Sequence, residues 1–148
     1  MENEKYSLMH LDLRQDILFV KTNLSEADFS AQFPKNGEFL LCYKLNPMQS
    51  RSIEPDLNQF LEELAFFGEK AEADVKIDGQ ELVKLAAGHY LFTQCRAEKP
   101  LNKEEWLDLA IEQQKDGLWE RNKLADLLYI RFLFEDEQFV TQILRPVA

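Results

Sequence analysis

The chain is short of several things, and each shortage removes a class of function. Its 148 residues hold two cysteines and two histidines, too few and too scattered for a disulfide scaffold or a zinc cluster of the usual spacing. Five glycines are spread along the chain, and none belongs to a loop of the kind that cradles phosphate. No apolar stretch approaches the roughly 20 residues of a membrane-spanning helix. The opening Met1-Glu2-Asn3-Glu4-Lys5-Tyr6 lacks the basic and apolar runs of a secretory leader, so a cytoplasmic protein without membrane contact is expected. No nucleophile stands in a recognisable arrangement with a base, and therefore no catalytic residue, metal or cofactor is predicted. Positive charge is scarce too, with 17 Lys and Arg against 27 Asp and Glu, a net charge of −10. Residues 54–81 carry nine acids against Lys70 and Lys76, −7 in all, which leaves −3 for the other 120 residues. Such a field repels nucleic-acid phosphate. It suits a basic protein partner, and it equally suits plain solvation of one helix and one strand.

What is abundant is apolar bulk. Eleven phenylalanines and 45% hydrophobic residues supply one sizeable core, and residues 1–148 are read as a single domain. Its clearest segment runs from Lys84 to Val147. A strand is predicted over Leu85–Cys95, where β-prone aromatics follow Gly88, a residue able to relax the backbone at a bend. Asn102 and Glu105 have capping-box spacing, and a helix is predicted from Lys103 to Asp116 with Gly117 as its stop. Leu128–Phe134 and Phe139–Leu144 flank the polar link Glu135-Asp136-Glu137-Gln138 and form an antiparallel hairpin.

The first half is read as a looser version of the same theme. Phe39–Asn46 is a strand, and Leu57, Phe60, Leu61, Leu64 and Phe67 give Glu54–Phe67 the apolar stripe of a helix ended near Gly68. Laying Phe39–Asn46 over Tyr90–Ala97 brings the two helices into similar register. Ala73–Gly79 alternates like a half-solvated strand, expected to form a hairpin with the Tyr90 strand. Residues 1–35 supply strands at Leu8–Leu13 and Ile17–Thr22 and a short helix at Leu24–Phe29, either as part of the domain or as an N-terminal arm. The sum is an α+β domain, with helices on one face of a mainly antiparallel sheet. Cys42 and Cys95 fall in predicted strands and are expected as buried thiols.

Ala87-Gly88-His89-Tyr90-Leu91-Phe92, the Trp106 helix, and the closing strands through Gln142-Ile143-Leu144-Arg145-Pro146-Val147 resemble the second half of the gyrase-inhibitor-like (GyrI-like) small-molecule-binding family. The resemblance covers residues 84–147. It implies a duplicated strand-helix-strand-strand fold with a ligand cleft between the halves, and a role as regulator effector domain, stand-alone binder, topoisomerase inhibitor or hydrolase. Members that bind cationic drugs carry a glutamate in the strand matching Leu128–Phe134, with a tyrosine two residues later; here Tyr129 and Arg131 stand there and the acid is missing. That weakens both cationic-ligand binding and the hydrolytic reading, and it favours an anionic or neutral ligand if Arg131 faces the cleft. No DNA-binding helix-turn-helix is read ahead of the domain, so a complete regulator is not expected.

Five residues are candidates for ligand binding: Tyr43, Tyr90, Trp106, Tyr129 and Arg131. The paired tyrosines suit a flat apolar ligand, and they suit core packing as well. Trp106 serves as a helix staple, and Trp119 covers either core or cleft. Arg131 lies among apolar neighbours and either faces solvent, pairs with an acid or lines a pocket. His10 and Asp12 share one side of a strand without making a recognisable metal site, and His89 has no identifiable catalytic partner. The leading expectation is a non-catalytic small-molecule-binding module. The alternative is an acidic module that binds a basic protein through residues 54–81.

Overall fold

The structure, a computed structural model, describes residues 9–22, 38–70 and 81–147. Eight strands form one sheet: β1 (Met9–Leu13), β2 (Ile17–Thr22), β3 (Phe39–Leu45), β4 (Leu61–Lys70), β5 (Leu82–Leu85), β6 (Gly88–Ala97), β7 (Leu127–Glu135) and β8 (Gln138–Pro146). Two helices, α1 (Leu57–Phe60) and α2 (Lys103–Trp119), and a 3₁₀ turn at Gln49–Arg51 complete the described chain. The sheet-dominated architecture agrees with the expected antiparallel sheet, and every strand pairing in it is antiparallel. The predicted helix at Leu24–Phe29 and strand at Ala73–Gly79 lie outside the described residues.

Spatial order in the sheet is β1-β6-β8-β7-β3-β4-β2-β5. This order forces curvature. β1 and β2 sit six positions apart, which in a flat sheet would be about 29 Å. Leu13 and Ile17, the residues that end one and begin the other, are four residues apart and can span at most about 14 Å. The same conflict holds between β5 and β6, also six positions apart and joined through only Ala86 and Ala87. The sheet must therefore roll until its ends approach. Where the two short connections meet, Asp16 holds them together: Oδ1 accepts the Ala87 N–H at 2.7 Å, and Oδ2 lies 3.3 Å from Lys84 Nζ.

α2 starts where the sequence says it should. The Asn102 side chain accepts from Glu105 N, and Glu105 Oε1 accepts from Asn102 N, closing the capping box. The helix runs past Gly117 to Trp119 because Gly117 is a contact residue and not a terminus: a Cβ there would stand 2.3 Å from Leu91 Cδ1. The hairpin of β7 and β8 turns through Asp136 and Glu137 alone, both with positive φ (52° and 63°), as a type I′ turn requires.

Three expectations are corrected. The helix over Glu54–Phe67 is one turn, α1, followed by β4. Helical burial would hide the whole stripe, whereas Leu57 and Leu64 are exposed while Phe60 and Phe67 are buried. Pairing to β3 on one side and β2 on the other outweighs the helical spacing, and the register shifts opposite Cys42/Tyr43 and Lys44/Leu45 absorb the surplus residues. The strand predicted over Leu85–Cys95 is two strands, broken at Ala86 and Ala87, and Gly88 restarts the chain at φ 149°. Finally, the sheet order sets β3 against β7 and gives β6 the place that β2 holds at the other end, so Phe39–Asn46 does not correspond to Tyr90–Ala97. β1 and β2 do form strands, but they pair with β6 and with β4 and β5 instead of with each other.

Apolar side chains fill both faces of the sheet. On one face Phe39, Leu41, Tyr43, Leu45, Phe67, Leu128, Ile130, Phe132 and Ile143 pack against Phe60 of α1 and Trp106 and Ala110 of α2. On the other, Phe19, Leu40, Cys42, Leu85, Tyr90, Tyr129 and Leu144 form a second cluster bordered by Leu11, Leu13, Ile17, Phe66, Val83 and Phe92. This cluster joins strands from opposite ends of the sheet, as the inside of a roll does, and no residue of a described helix belongs to it.

Candidate functional site

The inner face is assembled by strand alternation. Successive residues of a strand point to opposite faces, so Leu40 and Cys42 on β3, Tyr129 and Arg131 on β7, Gln142 and Leu144 on β8, and Tyr90, Phe92 and Gln94 on β6 all look inward. Cross-strand register then sets neighbours side by side: Cys42 opposes Tyr129, and Tyr129 opposes Leu144. Tyr90 and Tyr129 meet edge to face, with ring centroids 6.1 Å apart and planes at 80°, and Phe66 stands 6.4 Å from Tyr129 on its other side. The Tyr90 hydroxyl donates to the carbonyl of Ala86 at the roll's closure. Both tyrosines are buried, at 3% and 7% exposure.

Burial fixes the protonation of this patch. Loss of water pushes the Cys42 thiol up to about 12, with the Tyr129 hydrogen bond opposing the rise. Burial also raises Tyr90 to about 12, helped by the nearby Asp16 charge. It raises Tyr129 further, with Cys42 and Tyr90 adding to the effect. Near neutral pH all three groups keep their protons. The face thus presents aromatic edges with neutral hydroxyl and thiol groups, which can stack on and hydrogen-bond to a ligand but are poorly suited to act as nucleophile or base.

One polar strip crosses the same face. Arg131 Nε and Nη2 approach Glu38 Oε2 at 2.8 and 2.7 Å, Arg131 Nη1 lies 3.3 Å from Gln142 Oε1, and Gln142 Nε2 donates to Gln94 Oε1 at 2.8 Å. Lys70 Nζ adds a contact 3.7 Å from Glu38 Oε1. Of the three surroundings open to Arg131, the structure has the paired one, with Glu38 only 14% exposed. Sequence reading missed Glu38, Cys42, Gln94 and Gln142. Their signal was the register of four strands, which a single strand's pattern does not carry.

The five candidate residues divide between the two faces. Tyr90, Tyr129 and Arg131 share the inner one. Tyr43 and Trp106 lie on the other, where the Tyr43 ring meets that of Trp106 on α2 with centroids 5.5 Å apart and planes tilted at 42°, with Lys103 Nζ 5.6 Å from the Tyr43 ring. The Tyr43 hydroxyl is buried and has no hydrogen-bond partner among the described residues. Trp119, at the end of α2, is 80% exposed. Cys42 is buried as expected, and Cys95 is half-buried. In the described part of the acidic segment Glu54, Asp56, Glu62, Glu63 and Glu69 are exposed, with Glu63 3.3 Å from Lys44. Among the described residues no helix is long and apolar enough to cross a membrane.

No protein-family model matches the chain, and no curated protein matches it in sequence. Solved structures with a similar backbone include two at low identity. One is SAV2435 bound to tetraphenylphosphonium, at 14% identity and a TM-score of 0.49, with 97% of this chain and 93% of that one covered. The other is named "Putative bacterial transcription regulation protein" from Staphylococcus aureus MU50, at 13% identity and a TM-score of 0.47, with 97% and 98% covered.

Proposed function

We propose that this protein binds a small molecule, without catalysis, inside the roll of its sheet, between two halves whose described strands follow one order. The observation that carries this reading is the meeting of Tyr90 and Tyr129 with Cys42 and Phe66 on an inner face to which no described helix contributes. Strands of both halves supply that lining, and the order β6-β8-β7 on one side matches β2-β4-β3 on the other. Aromatic edges favour a flat, largely apolar ligand. The Arg131–Glu38 pair and the two glutamines at its border offer both donors and acceptors, so the polar end of the ligand is neutral or zwitterionic and not a bare ion of either sign.

Thermal unfolding of the protein against a library of flat aromatic compounds tests this. Binding to the native state alone at 100 times Kd contributes about 2.7 kcal/mol, a rise of roughly 5–11 °C in Tm for a domain of this size. The rise is expected to vanish in Tyr90→Ala and to shrink in Arg131→Ala. No stabilisation across the library, together with salt-sensitive capture of a basic protein through residues 54–81, would replace this reading by the acidic-module alternative.

A further inference from the structure

Away from the inner face, four side chains line up at the sheet's β1 edge. Asp12 and His89 are paired directly across β1 and β6, and His10 lies diagonal to His89. Asp12 Oδ1 is 2.5 Å from His89 Nδ1, His89 Nε2 is 2.8 Å from His10 Nδ1, and His10 Nε2 is 3.3 Å from Oε1 of Glu120, the residue that caps the C-terminus of α2. The row reads carboxylate, imidazole, imidazole, carboxylate.

Proton accounting makes the middle of this row unusual. An ionised carboxylate only accepts, so Asp12 and Glu120 each call for an N–H on the ring nitrogen that faces them. A neutral imidazole has one N–H to give. With both outer nitrogens protonated, the inner nitrogens, His10 Nδ1 and His89 Nε2, direct lone pairs at each other across 2.8 Å. A cation between them resolves the conflict. A carboxylate on the far nitrogen is also the arrangement that fixes the tautomer of a metal-bound histidine and raises its basicity. The negative end of α2 adds to the pull on positive charge. Two nitrogens bound to one metal at the usual distance of about 2.0–2.1 Å stand about 2.9 Å apart at a right angle and about 3.3 Å apart at the tetrahedral angle, so the rings need to part by only a few tenths of an ångström. Both side chains are about two-fifths exposed, at 40% and 39%, and open to an ion from solution.

We propose that His10 Nδ1 and His89 Nε2 form a two-imidazole site for a divalent first-row transition-metal ion, oriented by Asp12 and Glu120, with water in the remaining positions. Among the described residues no three of His, Cys, Asp and Glu surround one point, which makes this an open, exchangeable site and not a structural one. Imidazole ligands select copper, nickel and zinc over magnesium and calcium. An ion here bridges β1 and β6, with its His10 ligand held toward the end of α2 by Glu120, and is independent of the inner face.

The test uses the full chain, with Cu²⁺ as spectroscopic probe and Zn²⁺ as calorimetric one. One equivalent of Cu²⁺ is expected to show electron-spin coupling to two imidazole nitrogens, and one equivalent of Zn²⁺ to shift the ring-proton resonances of both histidines. His10→Gln and His89→Gln each weaken Zn²⁺ binding at least tenfold while circular dichroism stays unchanged, since both side chains are at the surface. Asp12→Asn and Glu120→Gln weaken it by about 10-fold. Equal Zn²⁺ affinity in the double histidine variant, or ring resonances that report a shared proton and ignore Zn²⁺, would overturn the site.

Discussion

Arg145 is 1% exposed, yet each nitrogen of its guanidinium has an acceptor. Nε donates to the Ala125 carbonyl at 2.8 Å, Nη1 to Gln114 Oε1 at 2.6 Å and Nη2 to the Ser50 carbonyl at 3.0 Å. Gln114 in turn donates to the carbonyls of Gln49 and Ser52, and the Ser50 hydroxyl donates to Asp126. One side chain therefore joins β8, α2, the 3₁₀ turn and the segment before β7. Burial lowers Arg145 to about 10, against the pull of the Asp126 charge, so it remains cationic at neutral pH. Removing it leaves three acceptors without this partner, two of them in buried bonds. Arg145→Ala is expected to cost about 3–5 kcal/mol, on the scale of breaking a buried charge network, read as a lower urea midpoint. Arg145→Lys recovers only part, because an ammonium group cannot reproduce the planar fork that reaches three separate acceptors. Nothing in the sequence distinguishes Arg145 from the other arginines. Its role follows from where three distant segments pass.

Elements were legible where their signals were local. The capping box of Asn102 and Glu105 lies within one turn and names the start of α2 without help from the fold. The β7–β8 hairpin is likewise announced by its short polar link. That link carries a conformational cost: Glu137 occupies φ 63°, a region that costs a residue with a Cβ roughly 1–2 kcal/mol. Glu137→Gly is expected to gain a few tenths to about 1 kcal/mol, because relief of that strain is partly offset by the freer unfolded chain. Chemical denaturation checks this, with the midpoint rising and the slope unchanged. Residues 54–67 were illegible for the opposite reason. Leu57, Phe60, Leu61, Leu64 and Phe67 fit helical spacing, but a strand with bulges also places Phe67 and Phe66 on opposite buried faces, and only the partners β2 and β3 decide between the two.

At the scale of the molecule, closure of the roll rests on two very short connections, and Asp16 bridges them. The Ala87 amide first, and the Lys84 ammonium second, hold the Asp16 carboxyl below its ordinary range. The sign follows from linkage: a carboxyl with a depressed folded-state pKa contributes stability above its unfolded pKa and loses it as pH falls through the folded value. Comparing urea midpoints at about pH 7 and about pH 3 should therefore show a smaller acid-induced loss in Asp16→Asn than in the parent, with the variant already weaker at the higher pH. An unchanged acid limb would remove Asp16 from the closure. By itself the sequence determined the charge distribution, α2 and its cap, the closing hairpin and most strand positions, since each is set by contacts within a few residues. Only the tertiary structure decided that residues 61–70 are a strand, that Tyr43 meets Trp106 of α2 on the outer face while Tyr90, Tyr129 and Arg131 line the inside, and that Arg131 meets Glu38. The physical reason is that strand pairing joins residues far apart in the chain. A strand's own pattern says that it has two faces, and its neighbours say which way each one looks.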